Sequence, residues 1–188
     1  MLKISFNPFP CLESDRLYLR QITTKDVNEV FELRSSAEIM KYIPRPLAKT
    51  KHDALDFIDL VNKSAKDNES INWAITLKKD NVLIGMACLI RMQPQNYRSE
   101  IGYILHPDMH GKGIMNEAVA LLIDYAFNTL HFHSLEAVID PENRASANVL
   151  LKHGFVKEGH FKESSFYEGR FLDAEIYSLI NTKPIPAV

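Results

Sequence analysis

The chain has 188 residues, 46% of them apolar and 24% charged, a balance that excludes collagen, coiled coil and disorder and supports one packed core. Lys plus Arg number 22 against 24 for Asp plus Glu, so a net charge of −2 gives no basic field to hold nucleic acid. Cys11 and Cys88 cannot build a disulfide scaffold, and the longest nearly uncharged apolar run, Val82 to Ile90, is about half of what spans a bilayer. Asn7, Pro8 and Pro10 interrupt any secretory core near the start, so a cytoplasmic protein with no membrane or nucleic-acid partner is expected.

In chain order, residues 1–12 read as an irregular lead-in, and Asp15–Gln21 alternates as a half-buried strand. Thr24 is placed to cap a helix running to about Ser35, and a short helical piece is expected to follow to Tyr42, closed by Pro44 and Pro46. Thr50 or Lys51 opens a second helix with Ala54, Leu55, Ile58, Val61 and Ala65 on one face. The period then changes to two. Ile71–Leu77, Val82–Arg91 and Arg98–Leu105 predict three strands in an antiparallel meander. Pro107 ends the third, and Gly111-Lys112-Gly113 leads into a long helix. Its predicted buried stripe is Met115, Ala118, Val119, Leu122, Tyr125 and Ala126, with Glu117, Asp124 and Asn128 facing water. Ser134–Ile139 follows as a strand, Asn143–Lys152 as a helix ending on a left-handed Gly154, then a strand from Phe155–Val156 and a last one at Phe171–Ile180. The reading is α+β: one domain over residues 1–188, with a mixed, mostly antiparallel twisted sheet and helices packed on it. The unit from Ile101 to Ile139 is expected to be a parallel crossover.

The segment from Glu100 to Ala118 is a strand, a glycine-rich turn and a helix start. Free N–H groups and the positive dipole end at such a helix start favour an anion, and Lys112 adds charge. A Walker A loop fails because Gly113, not Ser or Thr, follows Lys112. The dinucleotide fingerprint fails because Asn116 stands where its third glycine belongs. Two glycines in this spacing are equally compatible with a plain turn, and only downstream residues argue otherwise. Asn143 and Ser146 lie one turn apart on a helix that ends at Gly154-Phe155.

The order of these motifs, His110-Gly-Lys-Gly113-Ile-Met115 followed by Asn143-x-x-Ser146 and Gly154-Phe155, resembles the GNAT superfamily of N-acetyltransferases. Glu13-Ser-Asp-Arg-Leu-Tyr-Leu-Arg20 and Gly169 to Ile180 look like the RimJ/RimL branch, which acetylates ribosomal-protein N-termini; the resemblance spans about residues 13–181. It implies the GNAT fold, with helices on both faces of the sheet, and acetyl-CoA as donor, released as coenzyme A, with no metal. It implies that main-chain N–H groups of His110, Gly111, Lys112, Gly113, Ile114 and Met115 hold the pyrophosphate. It also implies that β-strand backbone around Tyr103, Ile104 and Leu105 takes the pantetheine and polarises the thioester. Asn143 would reach the pantetheine or a water, Ser146 would hydrogen-bond the departing sulfur, and Glu100 would act as base through water or else pair with an arginine such as Arg98. The sequence departs from the family where His110 replaces Gln or Arg, Met115 replaces Gly or Ala, and Leu150 stands at the general-acid tyrosine. The implied acceptor is a protein N-terminus; the alternatives are a small amine (polyamine, amino sugar, aminoglycoside) or a coenzyme-binding module without catalysis, and a homodimer is compatible with any of them. His131 and His133 lack a metal-site pattern, Trp73 and Phe57 read as core, and Cys88 reads as a small buried hydrophobe.

Overall fold

Period-two alternation becomes strand and period 3.6 becomes helix, with few exceptions. The computed structural model describes residues 2–183. The strands are β1 (Leu12–Glu13), β2 (Leu17–Gln21), β3 (Ile71–Leu77), β4 (Leu83–Gln93), β5 (Arg98–Leu105), β6 (Ser134–Ile139), β7 (Val156–Tyr167) and β8 (Arg170–Ile180). The helices are α1 (Val27–Ser35), α2 (Lys51–Lys66), α3 (Ile114–Asp124) and α4 (Arg144–Lys152). All eight strands form one sheet in the order β1-β2-β3-β4-β5-β6-β8-β7. Every neighbouring pair is antiparallel except β5 and β6, which the α3 crossover makes parallel.

Each face of the sheet carries helices. Against one face α3 lays the predicted stripe of Met115, Ala118, Val119 and Leu122, which meets Leu19, Trp73 and Leu89; Ala147 and Leu150 of α4 join the same layer. Against the other face α1 and α2 bring Val30, Leu33, Ala54, Ile58 and Val61 onto Ala74, Leu83 and Met86. Burying a large apolar side chain completely contributes about 1.5–3 kcal/mol, so these two layers supply the main drive for folding. Trp73 is fully buried, and its indole N–H donates to the Pro10 carbonyl at 2.7 Å, which removes the penalty of an unpaired polar group.

Four local expectations change. The lead-in is not merely irregular: Phe6 enters the core, and Leu12–Glu13 adds a short edge strand to β2. The segment to Tyr42 makes hydrogen-bonded turns instead of a helix, because Ile43 precedes Pro44 and is steered away from helical angles before a second turn can form. The long helix ends in a wider π turn at Tyr125–Thr129, with the Leu130 N–H reaching back to the Tyr125 carbonyl at 3.0 Å. Glu117 does not face water. Its carboxylate takes the Ser14 hydroxyl, the Arg16 N–H at 3.1 Å and the Arg16 guanidinium, tying the start of β2 to α3.

The feature that positions the site is a divergence of two strands. β5 and β6 pair only over Arg98↔Ser134, Ser99↔Leu135 and Glu100↔Glu136. Past Glu100, β5 stays paired with β4 through Leu105, while β6 continues with β8 through Ile139. A cleft therefore opens between residues 101–105 and 137–139, and both α3 and α4 begin at its open end.

Candidate active site

Strand alternation decides which groups of β5 face this cleft. The His106 N–H bonds to the Ile84 carbonyl at 2.9 Å, so the even-numbered main-chain groups, Ile104 and Gly102, point at β4. The N–H and C=O groups of Ile101, Tyr103 and Leu105 point the other way, into the cleft. The expectation for residues 103–105 thus narrows to Tyr103 and Leu105, because Ile104 belongs to the ladder with Met86.

At the mouth, Gly111 and Gly113 have φ of 71° and 74°, a region that suits glycine because no Cβ meets the following carbonyl. A side chain at Gly111 would meet nothing within 4 Å, so the bend is open on its outer side. Gly113 is the N-cap of α3 and offers no side-chain cap, which leaves the first-turn amides available to an anion. His110 is different. Its N–H donates to the Pro107 carbonyl at 2.9 Å, and its ring Nε2 lies 3.1 Å from the Leu105 carbonyl. Both groups are engaged inside the chain, so of the run His110–Met115 expected to meet an anion, the amides of Gly111, Lys112, Gly113, Ile114 and Met115 remain as candidates. Arg16 braces this bend: its guanidinium donates to the Lys112 carbonyl at 3.0 Å and to Glu117 at 2.6 Å. Burial raises the Glu117 carboxyl, but the Ser14 hydroxyl and Arg16 outweigh it and hold the group below its ordinary value.

Across the cleft, the Asn143 side chain accepts the Ser146 N–H at 3.1 Å and caps α4. Asn143 is therefore first a helix cap, with its amide nitrogen and the second lone pair of its oxygen left for other contacts. Ser146 is buried, and its Oγ lies 2.8 Å from the Tyr103 hydroxyl. Burial pushes the Tyr103 phenol up to about 12, against the opposing pull of Ser146, so it stays protonated at neutral pH. Leu150 is wholly buried in the core, and the hydroxyl nearest Ser146 comes from Tyr103 on the facing strand. Sequence reasoning weighed only the main chain of Tyr103; its alternation with Ile101 and Leu105 toward α3 was the available signal.

Glu100 looks to the opposite face, by alternation with Gly102 and Ile104, and its carboxylate accepts from Arg91 at 2.7 Å. The partner anticipated for it, Arg98, pairs instead with Glu136 on β6. So Glu100 and Ser146 are not brought together. Cys88 shares this face, and its thiol is pushed up to about 12 by burial and then by Glu100, which excludes a thiolate nucleophile at neutral pH. His131 and His133 are exposed on either side of the buried Phe132. Among the described residues, no three His, Cys, Asp or Glu side chains gather as a metal site.

A splayed parallel strand pair, with an anion-ready helix start on one wall and a hydroxyl pair on the other, is the arrangement of an acyl-CoA-dependent transferase. Residues 16–156 match the Acetyltransferase (GNAT) domain, and the chain belongs to that family; it is an N-acetyltransferase, from a family that uses acetyl-CoA. It is 30% identical over 175 residues to an uncharacterized N-acetyltransferase, YoaA, of Bacillus subtilis, covering 93% of this chain and 99% of that one. Among solved structures, a GNAT-family acetyltransferase from Bacillus anthracis superposes with a TM-score of 0.81 at 28% identity, covering 91% of this chain and 98% of that chain. The ribosomal-protein-S5-alanine acetyltransferase from Vibrio fischeri superposes with a TM-score of 0.80 at 26% identity, covering 93% and 100%.

Proposed function

We propose that this enzyme acetylates the α-amino group at a protein N-terminus. The observation that carries this reading is the engagement of Glu100 by Arg91 at 2.7 Å. That contact occupies a carboxylate oxygen which a general base would need for the amine or its water. An α-amino group ionises near 7.7–8.0 and presents a useful neutral fraction without a base, whereas a lysine near 10.4 does not. The likeness to the Vibrio fischeri enzyme, whose name specifies a ribosomal-protein alanine, supports the same acceptor class.

The amides of Gly111 to Met115 and the Lys112 side chain would hold the diphosphate, where the α3 dipole and charge favour it. The outward Ile101 carbonyl, both main-chain groups of Tyr103 and the Leu105 N–H would take the pantetheine amides as an added strand would, the Leu105 carbonyl being held by the His110 ring. Acetyl-CoA supplies an activated acyl carbon, which the neutral amine attacks as the bond to sulfur breaks. An N–H of Tyr103 or Leu105 faces the space where charge gathers on the acyl oxygen. Were the Tyr103 hydroxyl to donate across its 2.8 Å contact with Ser146 Oγ, the Ser146 proton would be free for the departing sulfur. In that arrangement Tyr103 would orient Ser146 without ionising, since burial pushes its phenol up to about 12, above a thiol near 8.5. The proton of the attacking amine passes to water.

Mass-spectrometric product analysis with acetyl-CoA at neutral pH tests the acceptor, offering peptides with free N-termini, Nα-blocked lysine peptides and spermidine. Acetylation of the α-amine at least about tenfold faster than of the others is expected. Faster acetylation of lysine or spermidine overturns the reading.

A further inference from the structure

The turn that leads into β2 is fixed by its own hydrogen bonds. The Ser14 N–H donates to the Leu17 carbonyl at 3.1 Å, and the Leu17 N–H returns to the Ser14 hydroxyl at 3.1 Å. Between them, the Arg16 N–H donates to the Glu117 carboxylate at 3.1 Å, and the Arg16 carbonyl accepts from the Lys78 N–H at 2.9 Å. Both main-chain groups of Arg16 are engaged, so its side chain leaves the turn in a set direction. That direction is the glycine bend ahead of α3. The guanidinium donates to the Lys112 carbonyl at 3.0 Å and to Glu117 at 2.6 Å, and a Cβ at Gly113 would lie 3.5 Å from Nη2.

The contact with Lys112 sets a peptide plane. In a planar trans peptide the Lys112 carbonyl and the Gly113 N–H point in opposite directions, so a guanidinium on the carbonyl turns that N–H away from Arg16. Glycines on either side of Lys112 would otherwise leave this plane free to rotate, because glycine has the widest choice of backbone angles. A cation on the carbonyl also polarises the peptide and strengthens its N–H as a donor. The contact with Glu117 removes a conflict. Glu117 lies in the first turn of α3, where its carboxylate suits the helix dipole but stands within one turn of the amides that would meet an anion. Its carboxyl is held below its ordinary value, so it is charged at neutral pH. Unpaired, that charge would repel a diphosphate, and the Arg16 guanidinium cancels it at contact distance.

We propose that Arg16 is a positioning residue for coenzyme A, one that acts through two neighbours: it aims the Gly113 amide at the diphosphate and neutralises Glu117 beside it. This rests on the reading of residues 111–115 as the diphosphate seat and adds what holds that seat in shape. The planar guanidinium fork suits the task, since it reaches a carbonyl and a carboxylate at once, which a single ammonium cannot do. A turn 96 residues upstream of Lys112 thereby sets part of the affinity for the coenzyme.

Calorimetric affinities for coenzyme A and for pantetheine, which lacks the diphosphate, test this in a set of variants. Arg16→Gln should weaken coenzyme A by about tenfold or more and change pantetheine by less than about twofold. A merely structural loss would weaken both alike. Arg16→Lys should lose about threefold of coenzyme A affinity, and it carries the test if Arg16→Gln fails to fold. The double variant Arg16→Gln/Glu117→Gln should bind coenzyme A about threefold more tightly than Arg16→Gln alone, because the uncancelled carboxylate is gone. Lys25→Gln, an equal charge loss at an exposed position, should match the wild type. Equal losses for the two ligands in Arg16→Gln, a double variant no tighter than the single one, or an unchanged affinity in the Arg16 variants overturns the proposal and leaves the diphosphate seat standing. A wild type that binds coenzyme A no more tightly than pantetheine overturns the seat itself, and the proposal with it.

Discussion

The two sides of the cleft are built by different means. The wall proposed for the donor uses backbone: a strand that parts from β6 after Glu100, and a bend where Gly111 and Gly113 take positive φ ahead of α3. The rest of the opening, proposed for the acceptor, is built from less regular segments: the connection over residues 36–50 and the twelve-residue β7, which is exposed along most of its length and shifts register twice against β8. Backbone construction ties function to a few glycines and to the sheet, so it tolerates little change. Side-chain construction lets acceptor specificity vary while the donor machinery stays fixed.

Perturbing the two sides should therefore have unequal effects. The largest is expected from Gly113→Asp, which puts a carboxylate and a strained φ at the anion-binding bend; coenzyme A affinity by calorimetry should fall by at least about a hundredfold. Gly113→Ala separates strain from charge, since its Cβ would sit 3.5 Å from the Arg16 guanidinium, an ordinary contact, and should lose about tenfold or less. Next come the hydroxyls. Ser146→Ala should lower kcat by about ten- to a hundredfold with little change in the KM for acetyl-CoA, and Tyr103→Phe should add less in the Ser146→Ala background than alone. Additive losses would mean that the two hydroxyls act separately.

Away from the cleft, the Arg20–Asp26 pair gives a pH signature in stability. Burial raises the Asp26 carboxyl, but bonds from Arg20 and Thr23 outweigh it and leave the group below its ordinary value. Its contribution is therefore complete above the unfolded carboxylate value near 3.9 and is lost as pH falls through the lower folded value. Asp26→Ala should cost about 3 kcal/mol at neutral pH, with the difference from wild type shrinking below about pH 4 in denaturant melts. A constant difference down to pH 3 would exclude the linkage. The smallest effect is expected for Glu100→Gln, less than about tenfold in kcat/KM toward an α-amine, because the carboxylate is already held by Arg91. A loss beyond about a hundredfold with a flattened pH profile would restore Glu100 as the base.

What the sequence made legible follows the same division. The α3 stripe from Met115 to Ala126, the left-handed Gly154 and the parallel β5–β6 pair all follow from periodicity and glycine chemistry, which are local. Arg16 could not be placed against Lys112 and Glu117 in this way, because those contacts join residues about a hundred positions apart. The exchange of partners among Arg91, Arg98, Glu100 and Glu136 depends on the β4–β5 register and its irregularity between Ile90 and Gln93, which no local pattern encodes. The turn at Glu168-Gly169, with φ of 45° and 83°, sets the β7–β8 hairpin, and two register shifts along β7 make the reach of its tip unreadable from alternation.

The most direct test is a crystal structure of the protein with coenzyme A bound. The diphosphate should rest on the amides of Gly111 to Met115, the pantetheine should lie along Ile101, Tyr103 and Leu105, and the sulfur should sit within hydrogen-bonding reach of Ser146 Oγ. A coenzyme bound outside the opening between β5 and β6, or one whose diphosphate touches none of those amides, would contradict the account.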